Sequence, residues 1–144
     1  MKVAYPVIFT DVDTNILIEV PDLGILTESN EEGKLKGSMA DAITMARDAI
    51  GISCIEAEDN GKEVLHPSKM TDIDVSKGTF NEDGISIVSL VDVDLTAYRR
   101  MLDNKMVRRN VTLPNWLNQE AEKSHINVSK VLQEALMARL GVSR

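Results

Sequence analysis

Two sets of side chains in this sequence have types and spacings that could do chemistry. The first is Arg108, Asn110 and Thr112, which alternate with apolar positions at Val107, Val111 and Leu113. That is the period of a strand with one polar and one apolar face. A guanidinium pairs with guanine, and a carboxamide with adenine, through two hydrogen bonds each, so this face has the chemistry to read base edges. The bland alternative is an exposed strand edge protected by polar residues. The second set is acidic: Asp11, Asp13, Asp22, Asp92 and Asp94. Paired carboxylates can hold two metal ions around a phosphate, as in a nuclease. Acids at strand ends are far more often turn residues and solvated tips. A nuclease site also wants an acid on a helix facing the sheet, and Asp41 and Asp48 lie off the apolar stripe of Met39, Ile43, Ala46 and Ile50. We therefore expect no catalytic residue, no metal and no cofactor. His66 and His125 lack ligand-like neighbours, and Cys54 reads as a small core hydrophobe.

The elements that must carry these residues follow from periodicity. Val3–Phe9 and Ile16–Val20 read as strands joined by the turn Asp13-Thr14-Asn15, with a short third strand at Ile25–Thr27. Pro21 and Gly24 break the chain between the second and third. Ser38 is placed to cap a helix with Asp41 in its first turn. Met39, Ala42, Ile43, Ala46, Ala49 and Ile50 recur at helical spacing, predicting a helix to Ile55 that Gly51 weakens near its end. No long element is expected over 57–84. Ile85–Leu95 alternates strictly, and Val88 and Leu90 add apolar groups to the second face, which predicts a strand buried on both sides. Pro114 suits the first position of a short helix bearing Trp116, Leu117 and Ala121. Asn127 caps a second, which carries Val128, Val131, Leu132, Ala135, Leu136 and Leu140 and closes at Gly141.

Charge divides the chain where the pattern changes. Residues 1–104 hold 9 Lys and Arg against 20 Asp and Glu, a net of −11, and residues 105–144 hold 7 against 3, a net of +4. An acidic part suits a basic protein and a basic part suits nucleic acid. The single cysteine allows no internal disulfide and fits a reducing, cytoplasmic setting. Asp11 and Asp13 end the first apolar run too early for a signal peptide, and no apolar run approaches membrane-spanning length. The expected fold class is α+β. A small N-terminal β-sheet with one packed helix occupies 1–96 and a linker 97–106. A strand-helix-helix module then fills 107–144. A module that short lacks disulfides and metal spacing, so a second copy is the economical way to complete it: two strands pair antiparallel over four helices. Val128, Ser129 and Lys130, opening the last helix, would add N–H groups for a phosphate.

The residues here resemble a known family. Val107-Arg-Arg-Asn-Val-Thr-Leu-Pro-Asn-Trp-Leu and Asn127-Val-Ser-Lys-Val-Leu-Gln-Glu-Ala-Leu resemble a ribbon-helix-helix DNA-binding domain. Tyr5-Pro-Val-Ile-Phe, Val20-Pro-Asp-Leu, the helix Met39–Ile50 and Leu90-Val-Asp-Val-Asp-Leu-Thr-Ala-Tyr resemble the front of HicB-family antitoxins. The resemblance implies a partial ribonuclease-H-like front that blocks a small basic mRNA-cleaving toxin of the HicA type. It also implies a C-terminal homodimer, open to higher oligomers, that represses its own operon by binding operator DNA. Asp22, Glu28, Glu31 and Glu32, near the first hairpin, are the acids expected to meet the toxin. The rival reading is a stand-alone ribbon-helix-helix repressor whose front senses a ligand or protein, for which no glycine-rich phosphate loop or convergent polar cluster speaks.

Overall fold

The computed structural model describes residues 1–30, 35–103 and 106–142. The chain divides into two compact units, Met1–Asn104 and Lys105–Arg144. The front unit is built on β1 (Lys2–Asp11), β2 (Ile16–Val20), β3 (Ile25–Glu28) and β4 (Ile85–Asp94), with helices α1 (Met39–Asp59) and α2 (Leu95–Leu102). The strands form one antiparallel sheet in the order β3-β2-β1-β4. Its central strand β1 is the apolar run predicted from the sequence, paired with β4 from Lys2↔Asp94 to Asp11↔Ile85. Asn15 closes the first hairpin: its carbonyl accepts from Val12 N–H at 3.0 Å, and its buried amide donates to the Asn30 carbonyl at 2.9 Å.

α1 packs across one face of the sheet. Ala42, Ala46, Ile50 and Cys54, four apart, are buried against Tyr5, Val7, Phe9, Ile18, Val20, Val91 and Val93. Small residues at 42 and 46 let the helix lie close, and each fully buried Ile or Phe contributes roughly 1.5–3 kcal/mol. The helix starts as expected, with Ser38 and Asp41 exchanging hydrogen bonds in a capping box. The bonds from Ser38 backbone and side chain hold the Asp41 carboxyl below the usual carboxylate range. The carboxylate half of the box is therefore in place at neutral pH and weakens only as acid protonates Asp41, while the Ser38 hydroxyl still accepts from the Asp41 N–H. Buried Cys54 has its thiol pushed up by desolvation, as suits an inert core residue.

The second face of β1 is also covered, since Pro6, Ile8 and Thr10 are buried. The cover is the irregular stretch after α1, which contains 3-10 turns at Met70–Asp72 and Val75–Lys77. Three side chains tie this stretch down. The Tyr5 hydroxyl donates to the Leu65 carbonyl. The Asp22 carboxylate accepts from the Ser68 N–H and hydroxyl, both at 2.7 Å. The Glu19 carboxylate accepts from the Thr79 N–H at 2.9 Å and its hydroxyl at 2.7 Å.

Three expectations need correction. β4 is not buried on both sides: Val91 and Val93 are, but Ile85 is 78% exposed, Ile87 49% and Leu90 51%. It closes the sheet as an edge strand, with no further strand paired beyond it among the described residues. The stretch 97–106 is not a linker throughout, because α2 occupies its first part. The Asp94 side chain caps α2 through Thr96 and Ala97 N–H, and Leu95 and Tyr98 are buried. α1 does not end near Gly51 at Ile55 but runs on to Asp59. The Tyr98 ring of α2 packs against the Gly51 position, since a Cβ there would lie 2.7 Å from it.

That crowding makes a prediction. Gly51→Ala should destabilise the front unit, because overpacking costs about 1–3 kcal/mol and a better helix former returns only about 1 kcal/mol. Urea unfolding monitored by circular dichroism should show a lower midpoint than the parent.

Candidate nucleic-acid interface and partner surface

The back unit contains α3 (Asn115–Lys123) and α4 (Val128–Leu140). Pro114 stands one position earlier than expected, as the residue before the first helical one. Its carbonyl accepts from Leu117 and Asn118 N–H at 3.0 and 3.1 Å. Its missing N–H costs nothing there. The joint between the helices turns at His125, whose φ of 53° is left-handed, and the Ile126 N–H closes back on Ala121 at 3.0 Å. The Asn127 side chain caps α4 by accepting from Lys130 N–H at 3.1 Å. Gly141, with φ 68°, ends it. Of the three residues expected to offer N–H groups to a phosphate, Lys130 has its own taken by this cap. Val128 and Ser129 keep theirs open at the helix start, and the exposed Lys130 ammonium remains.

Residues 107–113 form no strand within the unit, for a strand exists only through a paired neighbour and the described residues of this unit offer none. The two faces are nonetheless laid out. Arg108, Asn110 and Thr112 are exposed and have no hydrogen-bond partner among the described residues. Val107 is 82% exposed and Val111 51%. Residues Met106–Asn110 run beside α4 and border an open groove of about 800 Å³ with Ser129, Leu132 and Leu136. Trp116, Leu117, Ile126, Val131, Leu132, Leu136 and Leu140 are likewise exposed. Among the described residues 106–142 none is buried. Folded modules do not leave this much contiguous apolar surface in water.

In the front unit the acidic candidates separate. Asp22 has both carboxylate oxygens engaged by Ser68, so its charge serves the loop that covers the sheet. Glu28 ends β3, opposite Leu17 and half-buried. Glu31 and Glu32 lie outside the described residues. The five acids weighed as a metal site do not converge. Asp11 pairs with Ile85 at one end of β1, while Asp92 and Asp94 pair with Ala4 and Lys2 at the other. Seven residues of strand separate Asp11 from Ala4, roughly 23 Å at the rise of a β-strand. Asp11 forms an ion pair with Lys36, Asp92 pairs with Arg47 at 3.3 Å, and Asp94 caps α2. Among the described residues no three of His, Cys, Asp and Glu gather as a metal-binding group. Reading the sequence missed the exposed apolar run Ile85, Ile87 and Leu90 and the role of Arg47 beside it. The available signal was that Leu90 falls on the face opposite Ile85 and Ile87, and only the strand order says that this edge is open.

No protein-family model matches the chain, and no curated protein matches it. No helix among the described residues is long and apolar enough to cross a membrane. Among solved structures, the chain is similar to one from a toxin-antitoxin complex from Streptococcus pneumoniae, with a TM-score of 0.56 and 22% identity. The match covers 96% of this chain and 99% of that one. At that identity the likeness is one of fold, and it extends over both units.

Proposed function

We propose that this chain is an antitoxin of the HicB type. Its front unit, a partial ribonuclease-H-like sheet with its helix, binds and neutralises a small basic mRNA-cleaving toxin of the HicA type. Its back unit is a ribbon-helix-helix module that dimerises and represses the pair's own operon from operator DNA. The observation that carries this reading is the back unit's apolar stripe with no buried residue, beside a polar alternation that bears no acid. A second copy covers the stripe and pairs Val107–Leu113 with its counterpart. The resulting two-stranded ribbon fits a major groove roughly 12 Å wide. Arg108 and Asn110 then face base edges from both chains, with Thr112 beside them. The Val128 and Ser129 N–H groups and the Lys130 ammonium hold phosphates. The likeness in fold to a chain of a toxin-antitoxin complex supports the same reading.

The two charges divide the labour. The front, net −11 over residues 1–104, favours a basic protein and disfavours nucleic acid, and the net +4 of the rest does the reverse. Among the acids near the first hairpin, Glu28 has no bond like that of Asp22 among the described residues and is the one offered to the toxin. Glu31 and Glu32 follow it in sequence. The chain itself has no catalytic residue and needs no cofactor; RNA cleavage belongs to the partner it silences. It works in the cytoplasm, where a free Cys54 is stable.

Two variants test the DNA half, measured by fluorescence anisotropy against the DNA upstream of the chain's own gene and a scrambled duplex. Arg108→Ala or Asn110→Ala should each lose about 1–3 kcal/mol of preference for the upstream DNA while the dimer stays folded. Undiminished preference in both variants would remove the ribbon as the reader. Lys130→Ala should instead weaken binding to both duplexes alike, and its log affinity should fall less steeply with log salt, by about one phosphate contact per chain.

A further inference from the structure

We infer that the free edge of β4, from Ser86 to Leu90, takes up an extended segment of a basic protein as an added strand. This rests on the front unit being the binder of a small basic partner, and locates where that partner docks. The sheet ends at β4, ten residues long and paired with β1 along its whole length. Long open edges are hazards that proteins normally blunt or cover. Here one end is guarded: Arg47 Nε donates to the Asp92 carbonyl at 2.9 Å while its Nη2 reaches the Asp92 carboxylate at 3.3 Å. The Asp92 carbonyl therefore points away from β1. Strand alternation puts the N–H and C=O of Ser86, Val88 and Leu90 on that same side. Among the described residues no backbone group pairs with them there. The side chains suit an incoming strand, with Ile85 and Ile87 exposed toward the α1 face and Leu90 on the other. The opposite edge, β3, has four residues and gives a much shorter template.

Charge selects the occupant. Glu82 and Asp83 precede the open stretch; Asp92, which shares its charge with Arg47, and Asp94, which caps α2, follow it. A second copy paired antiparallel about Val88 would bring the Asp92–Asp94 end of one strand beside the turn that holds Glu82 and Asp83 of the other, and like charges repel there. Each front unit would also bring its net of −11. A strand with alternating apolar residues and Lys or Arg at its ends meets the same edge with complementary charge. Backbone hydrogen bonds supply affinity in this mode, and the flanking side chains supply choice of partner.

The probe is the small basic protein encoded beside this chain's gene, co-purified with the full chain. Residue-resolved amide hydrogen exchange is compared with and without it. Ser86, Val88 and Leu90 should slow by about tenfold or more in the complex. Val88→Pro removes an outward N–H and leaves the β1 ladder intact, since edge strands tolerate proline there. It should weaken partner binding by about tenfold and leave preference for the upstream DNA unchanged. A bound partner with unchanged exchange at these three amides would overturn the edge inference and leave the antitoxin reading standing. Protection that grows with concentration of the chain alone would assign the edge to a second copy and overturn it too. No binding by the basic protein at all would overturn both.

Discussion

The constraint on which the rest of the molecule depends is apolar burial in the back unit. Val107, Val111, Trp116, Leu117, Val131, Leu132, Leu136 and Leu140 are the side chains from which a core would be built, yet each is exposed in the single chain. Capping is in order at both ends of α4 and the joint between the helices is closed by hydrogen bonds, so local structure is specified well. What is missing is an interior. A unit of this size cannot offset its conformational entropy by helix propensity and caps alone. In the proposed assembly the same event that buries the stripe also creates the ribbon, so folding, dimerisation and the DNA-reading surface become one transition.

The front unit solves the opposite problem within one chain. β1 is buried on both faces, by α1 on one and by the stretch after α1 on the other. That second cover has little regular structure, and its position depends on a hydrogen bond donated by Tyr5 and on those that Glu19 and Asp22 accept. The price is that acids available in principle to a basic partner are partly used in holding the fold together. Apart from the Arg47 bonds at Asp92, the open edge of β4 has no such internal use among the described residues.

Much of this was legible in the residues. The Ser38 and Asp41 pair announced α1, Asn127 and Gly141 bounded α4, and the apolar run at the start became the central strand. These features are local, encoded within a turn or two of chain. The errors arose where distant segments decide the outcome. Ile85–Leu95 reads the same whether central or at an edge, and only its position after β1 in the sheet leaves Leu90 in water. Gly51 looked like a helix weakness because the Tyr98 ring that needs its missing side chain lies far along the sequence. Asp22 looked like a free charge because Ser68, which engages it, is 46 residues away. The stretch 97–102 is too short to show a helical period on its own, although Leu95 and Tyr98 bury enough to hold it on the front unit. At the candidate DNA site the alternation of Arg108, Asn110 and Thr112 was plain. Its completion as a strand requires a neighbour that the described residues of the back unit do not supply.

Trp116 is the chain's one tryptophan, and in the single chain it is 67% exposed. Its fluorescence across a dilution series, run beside sedimentation velocity, reports directly on whether a second copy supplies the missing interior. Burial in a dimer core predicts blue-shifted emission at high concentration that moves to the red as the dimer dissociates. Red-shifted emission that does not change with concentration, from a chain sedimenting as a monomer, would contradict the account.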